Sequence, residues 1–136
     1  MIRFKKIAIT FMCITSVAFA QDVALKLNAE AMLAMENGLN NIQKGFLYNN
    51  IDLIKSGVDI VQKENRVYHD RKVIKSILPE NKKLMENIAL ITSKRIENAS
   101  EEMKAYLEMK QMRKAHESFS DMVNACTDCH TIVRGW

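Results

Sequence analysis

Residues 119–134 read FSDMVNACTDCHTIVR. Within this stretch Phe119, Met122, Cys126 and His130 follow one another at steps of three and four, the spacing of side chains on one face of an α-helix. We therefore predict a helix over about residues 112–131 that places the chain's most reactive side chains on one face.

Residues 126–130 have the pattern C-x-x-C-H, the attachment motif of a c-type haem. Two thiols at this spacing can form thioethers with the two vinyl groups of one porphyrin, and the histidine that follows can bind the iron as its proximal ligand. Cys126 and His130 are four residues apart and share a helix face, with Cys129 within one turn. The motif predicts one covalent haem c held by Cys126 and Cys129, with His130 on the iron.

Two other interpretations of the motif have less support. A structural zinc site takes about four nitrogen or sulfur ligands, and the other candidates are the scattered Cys13, His69 and His116. A thioredoxin-like redox pair is expected in a βαβ context, and the sequence shows no strand-like alternation.

The N-terminal residues 1–20 have the form of an export signal. Three basic residues precede an apolar run at residues 7–19, which is short for a membrane span, and residues 18–20 read AFA, an A-x-A cleavage site. We expect a mature chain that begins at Gln21. The alternative is a retained N-terminal anchor.

Cleavage would change both the charge and the cysteine count. It would reduce the basic residues from 20 to 17 against 16 acidic residues, so the net charge would be +1 instead of +4. A nucleic-acid role then loses its main support. Cys13 would be removed, which leaves only the two motif cysteines. We expect a periplasmic protein without stable membrane insertion after cleavage.

The remaining pattern is typical of an all-α protein, with a single proline, Pro79, and apolar residues at helical spacing. Four helices are predicted at about residues 22–47, 51–64, 80–107 and 112–131. They are separated by a turn at residues 48–50, a longer connection at 65–78 with one helical turn at most, and a break near 108–111. Such lengths suit an antiparallel four-helix bundle with a cofactor in its core, formed by the single domain 21–136. The inward residues predicted for the third helix are Leu84, Ile88, Ile91, Ile96, Met103 and Leu107.

A haem motif near the C-terminus of an all-α chain resembles the class II cytochromes c, the cytochrome c′ family, whereas class I members carry it near the N-terminus. At residue level the resemblance is specific only around residues 123–134. The family commonly has a basic residue four positions after the haem histidine, and Arg134 fills that place, which implies a cation at the haem edge.

The resemblance also implies that the sixth iron ligand, if present, comes from the first helix. Met35 is favoured, because residues 35–38, MENG, are similar to the corresponding stretch of low-spin members. Met32 is the alternative, since it lies at the distance from the mature N-terminus seen in relatives. The third option is that neither binds iron. His116 is about 21 Å from His130 along one helix, and His69 could reach the iron only if its loop covered the haem.

These residues lead to two functional hypotheses. With His/Met ligation, the protein is an electron carrier that serves redox partner proteins of the periplasm. With both methionines in packing roles, it is a five-coordinate haem protein that binds nitric oxide or carbon monoxide. The first helix shows no obvious set of acid and base side chains on the distal side of the iron, so the sequence does not suggest an enzyme. Relatives are often dimers, so the resemblance leaves a homodimer open.

Overall fold

The computed structural model describes residues 26–134, and every regular element among them is helical. The chain divides into two compact units, Met1–Ala31 and Met32–Trp136. Residues 26–31 are the described part of the first unit and begin a helix. The predicted signal peptide and the cleavage site before Gln21 lie outside the described residues. Within residues 26–134, no helix is long and apolar enough to cross a bilayer.

The prediction of an all-α fold is confirmed. The described residues form five α-helices: α1 at residues 26–47, α2 at Ile51–Asn65, α3 at Arg71–Ile77, α4 at Glu86–Glu108 and α5 at Met112–Arg134. The predicted turn at residues 48–50 and the break before the last helix are both present. No glycine or proline marks that break, but Lys110 takes a left-handed conformation there, with φ of 56°.

The turn between α1 and α2 follows from local chemistry. Asn49 has a φ of 53°, a conformation that asparagine tolerates better than most residues. The Asn50 side chain accepts a hydrogen bond from the backbone N–H of Leu53 at 3.0 Å, which caps the first turn of α2. The chain therefore reverses within three residues, and α2 returns along α1.

Two glycines allow α1 and α2 to approach closely. A Cβ atom on Gly57 would lie 2.5 Å from the carbonyl oxygen of Gly38, and one on Gly38 would lie 2.9 Å from the carbonyl oxygen of Gly57. The two backbones are thus in direct contact, a separation that side chains would prevent.

The long helices alternate in direction. Asp59 of α2 pairs with Lys104 of α4 at 2.5 Å, and Asn65, farther along α2, bonds to the carbonyl of Ser93, earlier in α4. A three-residue link then reverses the chain between α4 and α5. A hydrophobic core lies between these helices, and its fully enclosed members are Ile42, Ile54, Val58, Val61, Met103, Ala115, Met122 and Ala125.

The connection between α2 and α4 is more ordered than predicted. The interpretation of residues 65–78 as an irregular stretch with one helical turn at most was wrong. A 3₁₀ turn at Arg66–His69 leads into α3, which is capped by Asp70. The apolar periodicity of α3 was hard to recognise because Ile74 is its only buried residue, and the next buried residue, Leu78, lies just after its end.

The start and the inward face of α4 also differ from the prediction. Residues Glu80–Met85 form a 3₁₀ helix, and the α-helix begins only at Glu86. Leu84, Ile88 and Ile91 were predicted inward but are 100%, 48% and 64% exposed, whereas Ile96, Met103 and Leu107 are buried as predicted. The buried face at the start of α4 is formed by Leu90 together with three smaller residues, Ala89, Thr92 and Ser93. Large apolar side chains therefore do not by themselves mark the buried face of this segment.

Candidate functional site

The C-x-x-C-H residues lie in the last third of α5, where the helix packs against α4. Cys126 and Cys129 are both free thiols and both partly buried. Cys126 packs against the hydrophobic core, and burial, followed by the proximity of Cys129, raises its pKa to about 11. Burial also raises the pKa of Cys129, and the Thr92 hydroxyl of α4 acts in the opposite direction. Both sulfurs are therefore neutral thiols at pH 7.

This environment differs from that of a thiol–disulfide catalyst. Catalytic cysteines of that kind have a lowered pKa and are stabilised as thiolates. Here burial shifts both thiol pKa values upward, and the described residues contain no strand that could form a βαβ unit. The thioredoxin-like interpretation of the motif has no structural support.

His130 is half-buried and lies one turn after Cys126 on α5. Burial lowers its pKa, and the positive charge of Arg134, one turn farther along, lowers it in addition. Both causes favour the neutral imidazole, the form that can bind a metal ion. Arg134 therefore lies close enough to His130 to influence it electrostatically.

An arginine of α4 holds the motif-bearing part of α5. The Arg95 guanidinium bonds to both carboxylate oxygens of Asp121, with Nε at 3.1 and 3.0 Å, and its Nη1 donates to Asp128 at 2.9 Å. Asp121 precedes the motif, and Asp128 is one of its two variable residues. One side chain thus fixes α5 against α4 on both sides of Cys126.

Tyr68, in the 3₁₀ turn after α2, is a residue of the site that sequence reasoning missed. Only 4% of the residue is exposed, and burial, followed by the neighbouring Cys129, raises its pKa to about 12. Asn65 anchors this turn on α4, because its amide donates to the Ser93 carbonyl at 2.9 Å and its carbonyl accepts from the Ser93 hydroxyl at 3.1 Å. A tyrosine in a polar connection gave no sequence signal, since its proximity to Cys129 depends on the tertiary fold.

The two methionines of α1 differ in burial and in their position along the helix. Met35 is 7% exposed, and Met32 is only partly buried. Near the other end of α1, Phe46 contacts Phe119 of α5 with ring centroids 6.0 Å apart. Met35 lies eleven residues before Phe46, and His130 lies eleven residues after Phe119.

This spacing relates Met35 to the motif. Eleven residues are about three helical turns, so Met35 shares a face of α1 with Phe46, and His130 shares a face of α5 with Phe119. Because α1 and α5 run in opposite directions, both steps lead the same way along the pair, over about 16 Å. Helix spacing therefore predicts that Met35 and His130 lie at the same level on facing sides. Met32 lies three residues before Met35, about one turn farther along α1 and about 60° around the helix from Met35.

The two other histidines lie at opposite ends of the fold's long helices, His116 at the start of α5 and His69 in the 3₁₀ turn after α2. His116 is exposed at the start of α5, where its ring contacts that of Phe46 with the two ring centroids 5.2 Å apart. His69 follows Tyr68, and one of its ring nitrogens lies 3.3 Å from the Asn65 amide. Among the side chains of residues 26–134, no group of three or more His, Cys, Asp or Glu is arranged to hold a metal ion.

Comparisons with protein families, curated proteins and solved structures found no match to this chain.

Proposed function

We propose that this chain is a periplasmic c-type cytochrome that carries single electrons and resembles the class II cytochromes c. The observation that carries the proposal is the C-x-x-C-H motif on the continuous helix α5, and the buried Met35 of α1, which helix spacing predicts at the level of His130, supports it. Two free thiols at the required spacing, followed by a histidine that favours its neutral form, match the donor set of a covalent haem.

The proposal assigns a role to each of these residues. Cys126 and Cys129 would hold the porphyrin through thioethers, His130 would bind the iron from α5, and Met35 would bind it from α1. Arg134 would influence the site through its charge. The bound haem would supply reversible one-electron chemistry between Fe(II) and Fe(III). The protein would bury the group, fix its axial ligands and tune its surroundings.

We also propose that α1, α2, α4 and α5 form a four-helix bundle with this site between α1 and α5. The alternating directions of these helices and their shared core support that arrangement. Met35 is both the more buried methionine and the one aligned with His130, which favours His/Met ligation and electron transfer. A five-coordinate site for nitric oxide or carbon monoxide would need both Met32 and Met35 to serve only in packing.

Haem attachment is tested by producing the full chain in a bacterial host that exports it and attaches c-type haem. Covalent haem is then detected on a denaturing gel. The wild type should carry haem, and Cys126→Ser and Cys129→Ser should each disrupt the double attachment. Cys13→Ser is the matched control and should keep it. Absence of haem from the exported wild type would overturn the proposal.

Ligation is tested by visible spectra of the reduced protein with and without carbon monoxide. The wild type should be low-spin and resist carbon monoxide, and Met35→Ala should bind it. Met32→Ala, one turn away, should behave like the wild type. A wild type that binds carbon monoxide directly would support the gas-binding alternative. An effect of Met32→Ala alone would move the ligand to Met32.

A further inference from the structure

Positive charge is concentrated in the segment that connects α2 to α4. Residues 66–85 contain six basic and two acidic residues, a net charge of +4, whereas the rest of residues 21–136 contains eleven basic and fourteen acidic residues, a net charge of −3. The basic members are Arg66, Arg71, Lys72, Lys75, Lys82 and Lys83. We call these six side chains the basic patch. A nearly neutral chain thus has a polarised surface.

Most of this charge is available to a partner. Arg66, Lys72 and Lys75 are exposed, Lys82 is partly exposed, and none of these four forms an ion pair with any described residue. The other two members have local acidic partners, Glu86 for Arg71 and Glu80 for Lys83. The fold itself therefore leaves much of the positive charge uncompensated.

An exposed apolar surface adjoins the basic patch. Leu84, in the 3₁₀ helix directly before α4, is fully exposed, and Ile88 and Ile91, three residues apart in the first turns of α4, are also exposed. Arg71 connects the two surfaces, because its guanidinium lies 2.7 Å from the Asn87 side chain, directly before Ile88. Apolar side chains bordered by cations form a mixed surface of the kind found in protein–protein interfaces.

This surface lies beside the candidate haem site. Thr92, which follows Ile91, reaches Cys129, and Tyr68, within the segment that carries the patch, is the buried neighbour of the same cysteine. An occupant of the surface would therefore lie next to the side of the motif that faces α4.

We propose that the basic patch and the apolar residues Leu84, Ile88 and Ile91 form the docking surface for an acidic redox-partner protein. This inference rests on the proposed function, since it names the chemical class of partner for the same site. Opposite charges would steer the encounter, and the apolar centre would hold the complex.

An anionic membrane is a less suitable occupant than an acidic protein. A helix that binds in a membrane interface inserts an apolar face. In the helix of this segment, α3, Ile74 is buried and Val73 and Ile77 are partly buried, and the following Leu78 is buried as well, so α3 has no fully exposed apolar side chain to insert. Two acidic residues, Asp70 and Glu80, also interrupt the positive charge.

The test measures binding of purified flavodoxin, a small acidic flavoprotein, to the immobilised full chain at about 100 mM salt, where charges act over only about 10 Å. The double variant Lys72→Glu/Lys75→Glu should have an association constant lower by about tenfold or more. Lys44→Glu with Lys110→Glu is the control: it makes the same change in net charge at two exposed positions outside the patch, and it should change binding by less than about twofold. Leu84→Gln should also weaken binding, whereas Leu47→Gln, at another exposed leucine, should not.

The outcomes separate the two proposals. Equal losses in both charge-reversed pairs, or no loss in the patch variant, would overturn the docking surface. Binding to phosphatidylglycerol vesicles that depends on the patch, with flavodoxin binding unaffected by it, would assign the surface to a membrane. This measurement does not require haem, so a chain without haem would overturn the proposed function separately. In the loaded protein, the rate of electron exchange with flavodoxin should fall in the same variants.

Discussion

Gly57→Ala tests whether direct backbone contact between α1 and α2 determines their separation. The new Cβ atom would lie 2.5 Å from the Gly38 carbonyl oxygen and 2.7 Å from the Cγ1 atom of Ile42. The carbonyl belongs to the backbone of α1 and cannot rotate away as a flexible side chain could. The two helices must therefore move apart.

Two effects of opposite sign decide the stability of this variant. Alanine is favoured over glycine within a helix by about 1 kcal/mol. Overpacking costs about 1–3 kcal/mol, and a clash with backbone belongs at the upper end of that range. We expect Gly57→Ala to lower the free energy of unfolding by about 1–2 kcal/mol, since the steric cost exceeds the gain in helix propensity.

The assay is urea unfolding followed by circular dichroism. Ser56→Ala, at the exposed neighbouring position of α2, is the matched control, and it should be slightly more stable than the wild type because only helix propensity changes. A Gly57→Ala variant as stable as the wild type, or more stable, would refute the close-contact argument.

Three further variants test other contacts by the same measurement. Asn50→Ala should lower the free energy of unfolding by about 1 kcal/mol, because it removes the side chain that caps α2. Asn65→Ala should lower the free energy of unfolding by about 1–3 kcal/mol, because the buried carbonyl and hydroxyl of Ser93 lose their hydrogen-bond partner. The Arg95 guanidinium lowers the pKa of Asp121 below its ordinary value of 3.8, so this pair stabilises the fold above that pH and the contribution is lost in stronger acid. Asp121→Asn should therefore lose less stability on acidification than the wild type.

Asn98→Ala, at an exposed position within α4, is the common control for the two asparagine variants and should leave stability nearly unchanged. An Asn50→Ala or Asn65→Ala variant that unfolds with the wild type would contradict the assigned hydrogen bonds. For Asp121, parallel loss of stability in the variant and the wild type below pH 3.8 would show that the ion pair contributes nothing.

The sequence predicted the features that depend on local spacing. Apolar periodicity identified α2 to within one residue and the first residue of α5, whose end lies three residues beyond the prediction, and it placed Met35 on the inward face of α1, where the structure buries it. The i, i+4 relation of Cys126 and His130 needs only a continuous helix, and α5 provides one. These features could be predicted because one element contains all the necessary information.

The errors arose where packing between elements decides the outcome. Small side chains such as Ala89 and Ser93 are buried in α4, while the larger Ile88 and Ile91 are exposed. No residue in isolation indicates which face another helix will cover. Tyr68 was missed for the same reason, since it is far from Cys129 in sequence and meets it only through the packing of the connection on α4.

The aromatic contact between α1 and α5 joins residues far apart in the sequence, since Phe46 and His116 are separated by 70 positions. In contrast, α1 with α2, and α4 with α5, are hairpins closed by three-residue links, so each can form early at a small cost in loop entropy. Met35 belongs to the first hairpin, and the C-x-x-C-H motif belongs to the second. The two halves of the candidate site therefore meet only when the hairpins dock, a slow, long-range step in folding. A perturbation that separates the hairpins would dismantle the site while leaving the secondary structure of each largely intact.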